Sequence, residues 1–201
     1  MANSKKFLGL GCLAVVILGL LIVALYATGV YNSLVGLDQK VQAQWGQVEN
    51  VYQRRADLVP NLVETVKGAA AFEKDTFTAV TEARARVGQV NLGANVPDAQ
   101  QLQRFQAAQD SLSSALSRLL VVVEKYPDLK ATQNFRDLQA QLEGTENRIA
   151  VERKRFNDAA QEFNTARRRF PTVLFASLLG FSEKPYFQAA PGSEKAPQVK
   201  F

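Results

Sequence analysis

The first pattern along the chain is a long apolar run. After Lys5 and Lys6, residues Phe7 to Tyr26 carry no charge and are dominated by Leu, Val, Ile, Gly and Ala. At 1.5 Å rise per residue, a helix of this length covers about 30 Å, the thickness of a bilayer's hydrocarbon layer. Uncharged sequence continues to Leu37, and Tyr26 and Tyr31 fall where an interfacial aromatic belt sits. A retained transmembrane helix over 7–30 is therefore expected. A cleaved signal peptide has a shorter apolar region and ends in a small-x-small site, and Leu25-Tyr26-Ala27 is a poor one. Gly9-Leu10-Gly11-Cys12 faintly resembles a lipobox, but too little apolar sequence precedes Cys12 and the run continues well past it. Lys5 and Lys6 precede the span, whereas Lys40 is the only basic residue in the first stretch after it. The positive-inside rule then places the N-terminus in the cytosol and the body outside.

Beyond the span the pattern changes to the helical period. From Leu34 to Val87, apolar residues recur mostly three or four apart: Leu34, Leu37, Val41, Trp45, Val48, Tyr52, Val59, Leu62, Val66, Phe77 and Val80. Pro60 interrupts this region, and a proline removes a backbone donor and crowds the preceding turn. The outcome is either a bent rod or two helices. Residues 88–97 read as a loop. Asp98 followed by Gln101 is a capping-box pair that opens a helix, which should stop at Tyr126-Pro127. In the last helix Phe135, Leu142, Ile149, Phe156, Phe163 and Phe170 recur every seven residues, with Leu138, Thr145, Glu152, Ala159 and Ala166 as the companion series. Large residues facing small or polar ones suit a multi-helix bundle better than a two-stranded coiled coil. The fold expected is all-α: an N-terminal transmembrane helix, then an antiparallel bundle of long helices, three in number or four if Pro60 splits the first. The divisions are a basic cytosolic leader at 1–6, the span at 7–30, a bundle domain at 31–170, an apolar C-terminal segment at 171–187 and a disordered tail at 188–201.

Composition narrows the chemistry. There is no histidine, which removes zinc–histidine sites, Ser-His-Asp triads and imidazole acid–base catalysis. The single cysteine, Cys12, cannot form a disulfide framework or a thiolate cage within one chain. No phosphate loop, zinc-protease helix or calcium loop is found. The expectations are no cofactor, no metal and no enzyme activity. A net charge of +5 suits an anionic surface, and for a membrane-anchored chain that surface is lipid, with no role for nucleic acid.

Arg54-Arg55-Ala56-Asp57-Leu58-Val59-Pro60-Asn61-Leu62-Val63-Glu64-Thr65-Val66-Lys67-Gly68 closely resembles the hallmark stretch of the LemA family of bacterial membrane proteins. Tyr31-Asn32-Ser33-Leu34-Val35 resembles the family's motif just after the span, and Trp45 and Val48 sit where its tryptophan-containing turn falls. Arg155-Phe156-Asn157, Phe163-Asn164, Phe170-Pro171, Gly180-Phe181 and Tyr186-Phe187 resemble its closing pattern, so the likeness covers about residues 5–187. Ala69 and Phe72 stand where members often have Tyr and His, so no role for that histidine carries over. The resemblance implies an N-terminal anchor and an antiparallel helical bundle and supplies no enzyme activity. Some members take part in magnetosome membrane formation, a property of one branch.

Two surfaces are candidates for function. Arg54, Arg55, Asp57, Asn61 and Glu64 form a polar patch, with Arg54, Asp57, Asn61 and Glu64 spaced as one stripe. It reads either as helix-stabilising pairs around Pro60 or as a face for partner proteins. Arg167, Arg168 and Arg169 precede an apolar stretch too short to span a bilayer. They complement a helix C-terminus, or with Phe170, Leu174, Phe175 and Leu178 they form a lipid-contact surface. The function expected is a membrane-anchored scaffold or interaction protein that forms homo-oligomers or binds other envelope proteins, with a lipid-binding, membrane-organising module as the alternative. Burying each large seam residue is worth about 1.5–3 kcal/mol, so Phe156→Asp is predicted to collapse helicity. Unchanged circular dichroism and melting would take Phe156 out of the core.

Overall fold

The computed structural model describes residues 2–68, 73–90 and 95–189, with side chains from residue 13 onward. The leader's side chains, Cys12, Ala69, Phe72 and nearly all of the expected tail lie outside that description. Among the described residues there is no strand. Six helices follow one another: α1 Ala2–Lys67, α2 Lys74–Gln89, α3 Ala99–Val123, α4 Pro127–Lys130, α5 Gln133–Arg168 and α6 Thr172–Leu178. The chain forms two compact units, Met1–Lys40 with Gln161–Glu183, and Val41–Ala160 with Lys184–Phe201.

In the larger unit α1, α2, α3 and α5 run up, down, up and down. Arg55 and Gln44 of α1 meet Glu146 and Glu152 of α5 in antiparallel order, while Tyr52 and Arg55 meet Phe105 and Ser113 of α3 in parallel order. An aliphatic core joins Val59, Leu62 and Val66 to Val80 of α2, Leu112, Leu116 and Leu119 of α3, and Phe135 and Leu142 of α5. The heptad seam accounts for α5: Phe135, Leu142, Ile149, Phe156 and Phe163 are all buried. Phe170 is 81% exposed because α5 has already ended at Arg168. The polar residues on the seam are satisfied locally. Thr145 donates its hydroxyl to the Gln141 carbonyl at 2.7 Å, and Glu152 accepts from Gln44 at 2.6 Å.

The four-helix count arises in a way the periodicity did not indicate. Pro60 neither ends nor reverses a helix, since α1 runs through it to Lys67, and α2 starts only at Lys74. The carbonyl that lacks a donor because of Pro60 is that of Ala56, four residues earlier. Arg84 of α2 supplies the missing donor, its Nε–H bonding the Ala56 oxygen at 3.0 Å. The break after α1 coincides instead with Gly68, and glycine is the weakest helix former after proline. Asp98 makes the full capping box, accepting from the Gln101 N–H at 2.7 Å and donating its own N–H to the Gln101 side chain at 2.9 Å. Pro127 does more than stop α3. It occupies the first turn of α4, where its missing N–H costs nothing.

In the smaller unit the first part of α1 keeps its apolar side chains in the open: the Leu, Ile and Val residues from Leu13 to Leu25 are 51–70% exposed. A core helix of this composition would be buried, so this stretch is long and apolar enough to cross a membrane. α6 closes with a Schellman turn. The Phe181 N–H reaches the Ala176 carbonyl at 3.0 Å, and Gly180 takes the φ of 81° that the turn requires. Phe181 thereby packs near Tyr31 and Phe163.

The Pro60–Arg84 pairing predicts a coupled pair. Arg84→Ala should cost about 1 kcal/mol in thermal or denaturant melting. In a Pro60→Ala background, where residue 60 regains its N–H, the cost should drop to under about half of that. Equal costs in both backgrounds would remove the proposed compensation.

Candidate functional site

The polar centre of the larger unit is Arg55. Its side chain is 2% exposed, although it belongs to the most polar stretch of α1. A guanidinium taken out of water needs its donors met, and two helices meet them here. Nη1 donates to Ser113 Oγ and to Glu146 Oε1, both at 2.8 Å. Nη2 donates to the Gln109 carbonyl at 3.3 Å and, in a short contact, to the Gln109 side-chain oxygen. The Tyr52 ring lies under the guanidinium at 5.1 Å, a cation–π arrangement. Nε has no acceptor among the described residues. Burial pushes the Tyr52 hydroxyl above its usual pKa, against the pull of Arg153 and Arg55.

This places Arg55 in the core and removes it from the expected partner face. The reason is helical phase. The buried residues of α1 step Val48, Tyr52, Val59, Leu62, Val66, and the seven-residue gap between Tyr52 and Val59 is filled at the right interval by Arg55. That gap was the available sequence signal. The rest of the patch points outward: Arg54, Asp57, Asn61 and Glu64 are exposed, as is Pro60. Asp57 accepts from Gln53 at 2.8 Å, and Glu64 faces Lys67 at 3.6 Å. These are surface pairs of small energetic value. Asp57 and Glu64 have no described metal-binding cluster around them.

Next to Arg55 along α1 lies an aromatic cluster absent from the sequence-based expectations as a site. Trp45 meets Phe105, Phe156 and Phe187 with ring centroids 5.5–6.1 Å apart. The indole N–H is buried without a hydrogen-bond partner among the described residues. Phe187 falls in the apolar C-terminal segment and, with Tyr186, in the closing pattern of the resemblance, and Asn157, Gln106 and Arg153 hold its backbone neighbourhood. Periodicity has no means of detecting an extended segment recognised by side-chain amides.

The second candidate surface belongs to the smaller unit. Phe170, Leu174 and Leu178 recur every four residues and are 81%, 63% and 84% exposed. Phe175 turns the other way and meets Tyr26 at 5.7 Å, so α6 lies beside the end of the apolar run of α1. The arginines divide. Arg167 donates to the Phe181 carbonyl at 2.7 Å, Arg168 grips both oxygens of Glu183 at 2.7 and 2.8 Å, and Arg169 is exposed. Two of the three therefore hold the segment after α6 in place.

These features define an all-helical bundle protein with one N-terminal helix apolar enough to cross a membrane. The sequence profile of the LemA family matches residues 44–201, and the chain belongs to that family. It is 29% identical over 181 residues to magnetosome protein MamQ 2 of Paramagnetospirillum magneticum and 27% identical to MamQ of Magnetospirillum gryphiswaldense. Each alignment takes in 82% of this chain, and the chain spans 66% of the length of those MamQ proteins. Protein LemA of Metamycoplasma hominis is 23% identical over 159 residues, 79% of this chain and 69% of its own length.

Arg55→Ala should destabilise the bundle by about 3 kcal/mol or more, because it leaves the buried Gln109 amide and a carboxylate unpaired. Glu146 is 41% exposed, so Glu146→Gln, which keeps an acceptor and can rehydrate, should cost clearly less. Melting curves of the two variants decide the order, and a larger loss for Glu146→Gln would overturn this account of the cluster.

Proposed function

We propose that this chain is a membrane-anchored helical scaffold of the bacterial inner membrane, with no enzyme activity and no cofactor, that assembles with itself or with other envelope proteins. The supporting observation is the division of labour along α1. Its first part exposes an unbroken apolar surface. Its last part buries Trp45, Tyr52, Arg55 and Val59 while presenting Arg54, Asp57, Asn61 and Glu64 to solvent. An exposed polar stripe on an otherwise core-forming helix is a surface for partner proteins. In this reading the N-terminus is cytosolic, and nucleic acid is not a partner.

A specific observation favours lipid contact as a second role. The Phe170, Leu174 and Leu178 stripe is exposed while its neighbour Phe175 touches Tyr26, which sits at the end of the apolar run. A short helix with one bare apolar side beside a membrane anchor is placed to lie in the headgroup region, with Arg169 toward anionic lipid. The magnetosome naming of the MamQ relatives accords with a role in organising membranes.

A photo-crosslinker at Asn61 in native membranes should trap discrete protein adducts. Recovery of lipid alone, or of nothing, would count against a partner face. Flotation of the body without its apolar N-terminal run should show binding to anionic vesicles that drops about tenfold or more in Leu174→Asp/Leu178→Asp, each buried leucine being worth about 1.5–3 kcal/mol. Equal flotation of both proteins would eliminate the lipid role.

A further inference from the structure

The segment Lys184–Gln188 has neither helix nor strand, yet the larger unit holds it as a receptor holds a peptide. Asn157 of α5 reads one residue completely: its amide nitrogen donates to the Phe187 carbonyl at 3.0 Å, and its oxygen accepts the Phe187 N–H at 2.9 Å. Gln106 of α3 does the same for the next residue, donating to the Gln188 carbonyl at 2.8 Å and accepting the Gln188 N–H at 3.4 Å. Arg153 adds a second donor to the Gln188 carbonyl at 2.9 Å. Two side-chain amides on facing helices thus imitate the main-chain ladder that an adjoining strand would offer an extended peptide.

Specificity comes from one side chain. Phe187 is 6% exposed, stacked on Trp45 at 21° and 6.1 Å and edge-on to Phe156 at 5.5 Å. The Arg153 guanidinium covers it at 4.8 Å, a cation–π lid. An open cleft of about 500 Å³ runs beside the segment, lined by Gln103 and Gln106 of α3 and by Pro185, Tyr186 and Gln188. Two backbone residues and one buried ring thus anchor the segment, as a peptide is anchored in a receptor groove.

We propose that this groove is a peptide-binding site for an extended segment carrying an aromatic residue, occupied within the chain by Tyr186–Gln188, and that its ligand in trans is the same segment of a second copy. Every copy carries both halves. Exchange reproduces each contact, so a swapped pair loses nothing at the groove itself. Copies confined to one membrane plane meet at high effective concentration. The proposal deepens the self-assembly reading above and rests on it for the identity of the partner, whereas binding at the groove can be measured without it.

The test uses the full chain in detergent micelles with a labelled synthetic peptide of residues Lys184–Ala189. Phe187→Ala empties the pocket, and this variant should bind the peptide saturably, about tenfold or more tighter than the wild-type chain does, since the wild-type groove is already filled. Binding should shift the emission of Trp45, the single tryptophan of the chain, and should vanish when Asn157→Ala is added. Circular dichroism checks that Phe187→Ala remains helical. If it does not, Phe187→Leu, which keeps an apolar side chain in the pocket, should show the same ranking with a smaller difference. Absence of saturable binding to the emptied chain, or binding indifferent to Asn157→Ala, overturns the groove. Full-length copies bearing Gln103→Cys and Ala189→Cys on separate chains, positions that are exposed and outside the groove contacts, each with Cys12→Ser, are then mixed in vesicles with a short bis-maleimide. A crosslinked mixed pair is expected. Peptide binding without such a pair overturns the second copy as the ligand while leaving the groove to a segment of another protein.

Discussion

A guanidinium enclosed by apolar helices forfeits its hydration, and the surrounding structure must supply acceptors in the plane of the fork at hydrogen-bond distance. Arg55 imposes that demand on the bundle. Gln109 and Ser113, one turn apart on α3, and Glu146 on α5 answer it. Sliding α3 or α5 by a turn relative to α1 would remove an acceptor and leave a buried charge unmatched, a penalty of several kcal/mol. Aliphatic packing is far more tolerant of such slips, because leucine and valine faces are nearly interchangeable. Lysine could not take this place, since one ammonium cannot present two parallel nitrogens to separate helices. With the register set there, the aromatic cluster of Trp45 falls to one side along α1 and the aliphatic cluster of Val59 to Val66 to the other.

Much of this architecture was legible in the residue pattern, and the failures are informative. The seven-residue recurrence from Phe135 to Phe163 located the buried edge of α5, because burial of large side chains leaves a periodic trace. The Asp98–Gln101 box opened α3 for a similarly local reason. Pro60 leaves a bent rod and two helices both open on sequence alone, since what decides is whether the orphaned carbonyl finds a donor, and that donor comes from Arg84, 28 residues away. Polarity groups Arg55 with the exposed patch, whereas its phase within the buried series of α1 places it inside. Non-local acceptors decide whether a charge can be buried, and a single helix does not display them.

The candidate sites divide along the same line. The exposure of Arg54, Asp57, Asn61 and Glu64 follows from spacing on one helix, whereas Phe170 lies between α5 and α6 and joins Leu174 and Leu178 of α6 in exposing apolar surface. The amide pair Asn157 and Gln106 left no such trace. These residues lie on different helices, and the segment they hold has no periodicity. Membership of the LemA family links the chain to bacterial relatives.

Recognition of main chain by side-chain amides has an evolutionary corollary. Asn157 and Gln106 contact atoms that every amino acid other than proline possesses in full, so they are blind to which residues occupy positions 187 and 188. The ring pocket beside Trp45 discriminates by side chain. Selection for the ring contact would therefore act on a single letter, position 187. A docking segment of this kind could change its surface chemistry across lineages while keeping the same foothold.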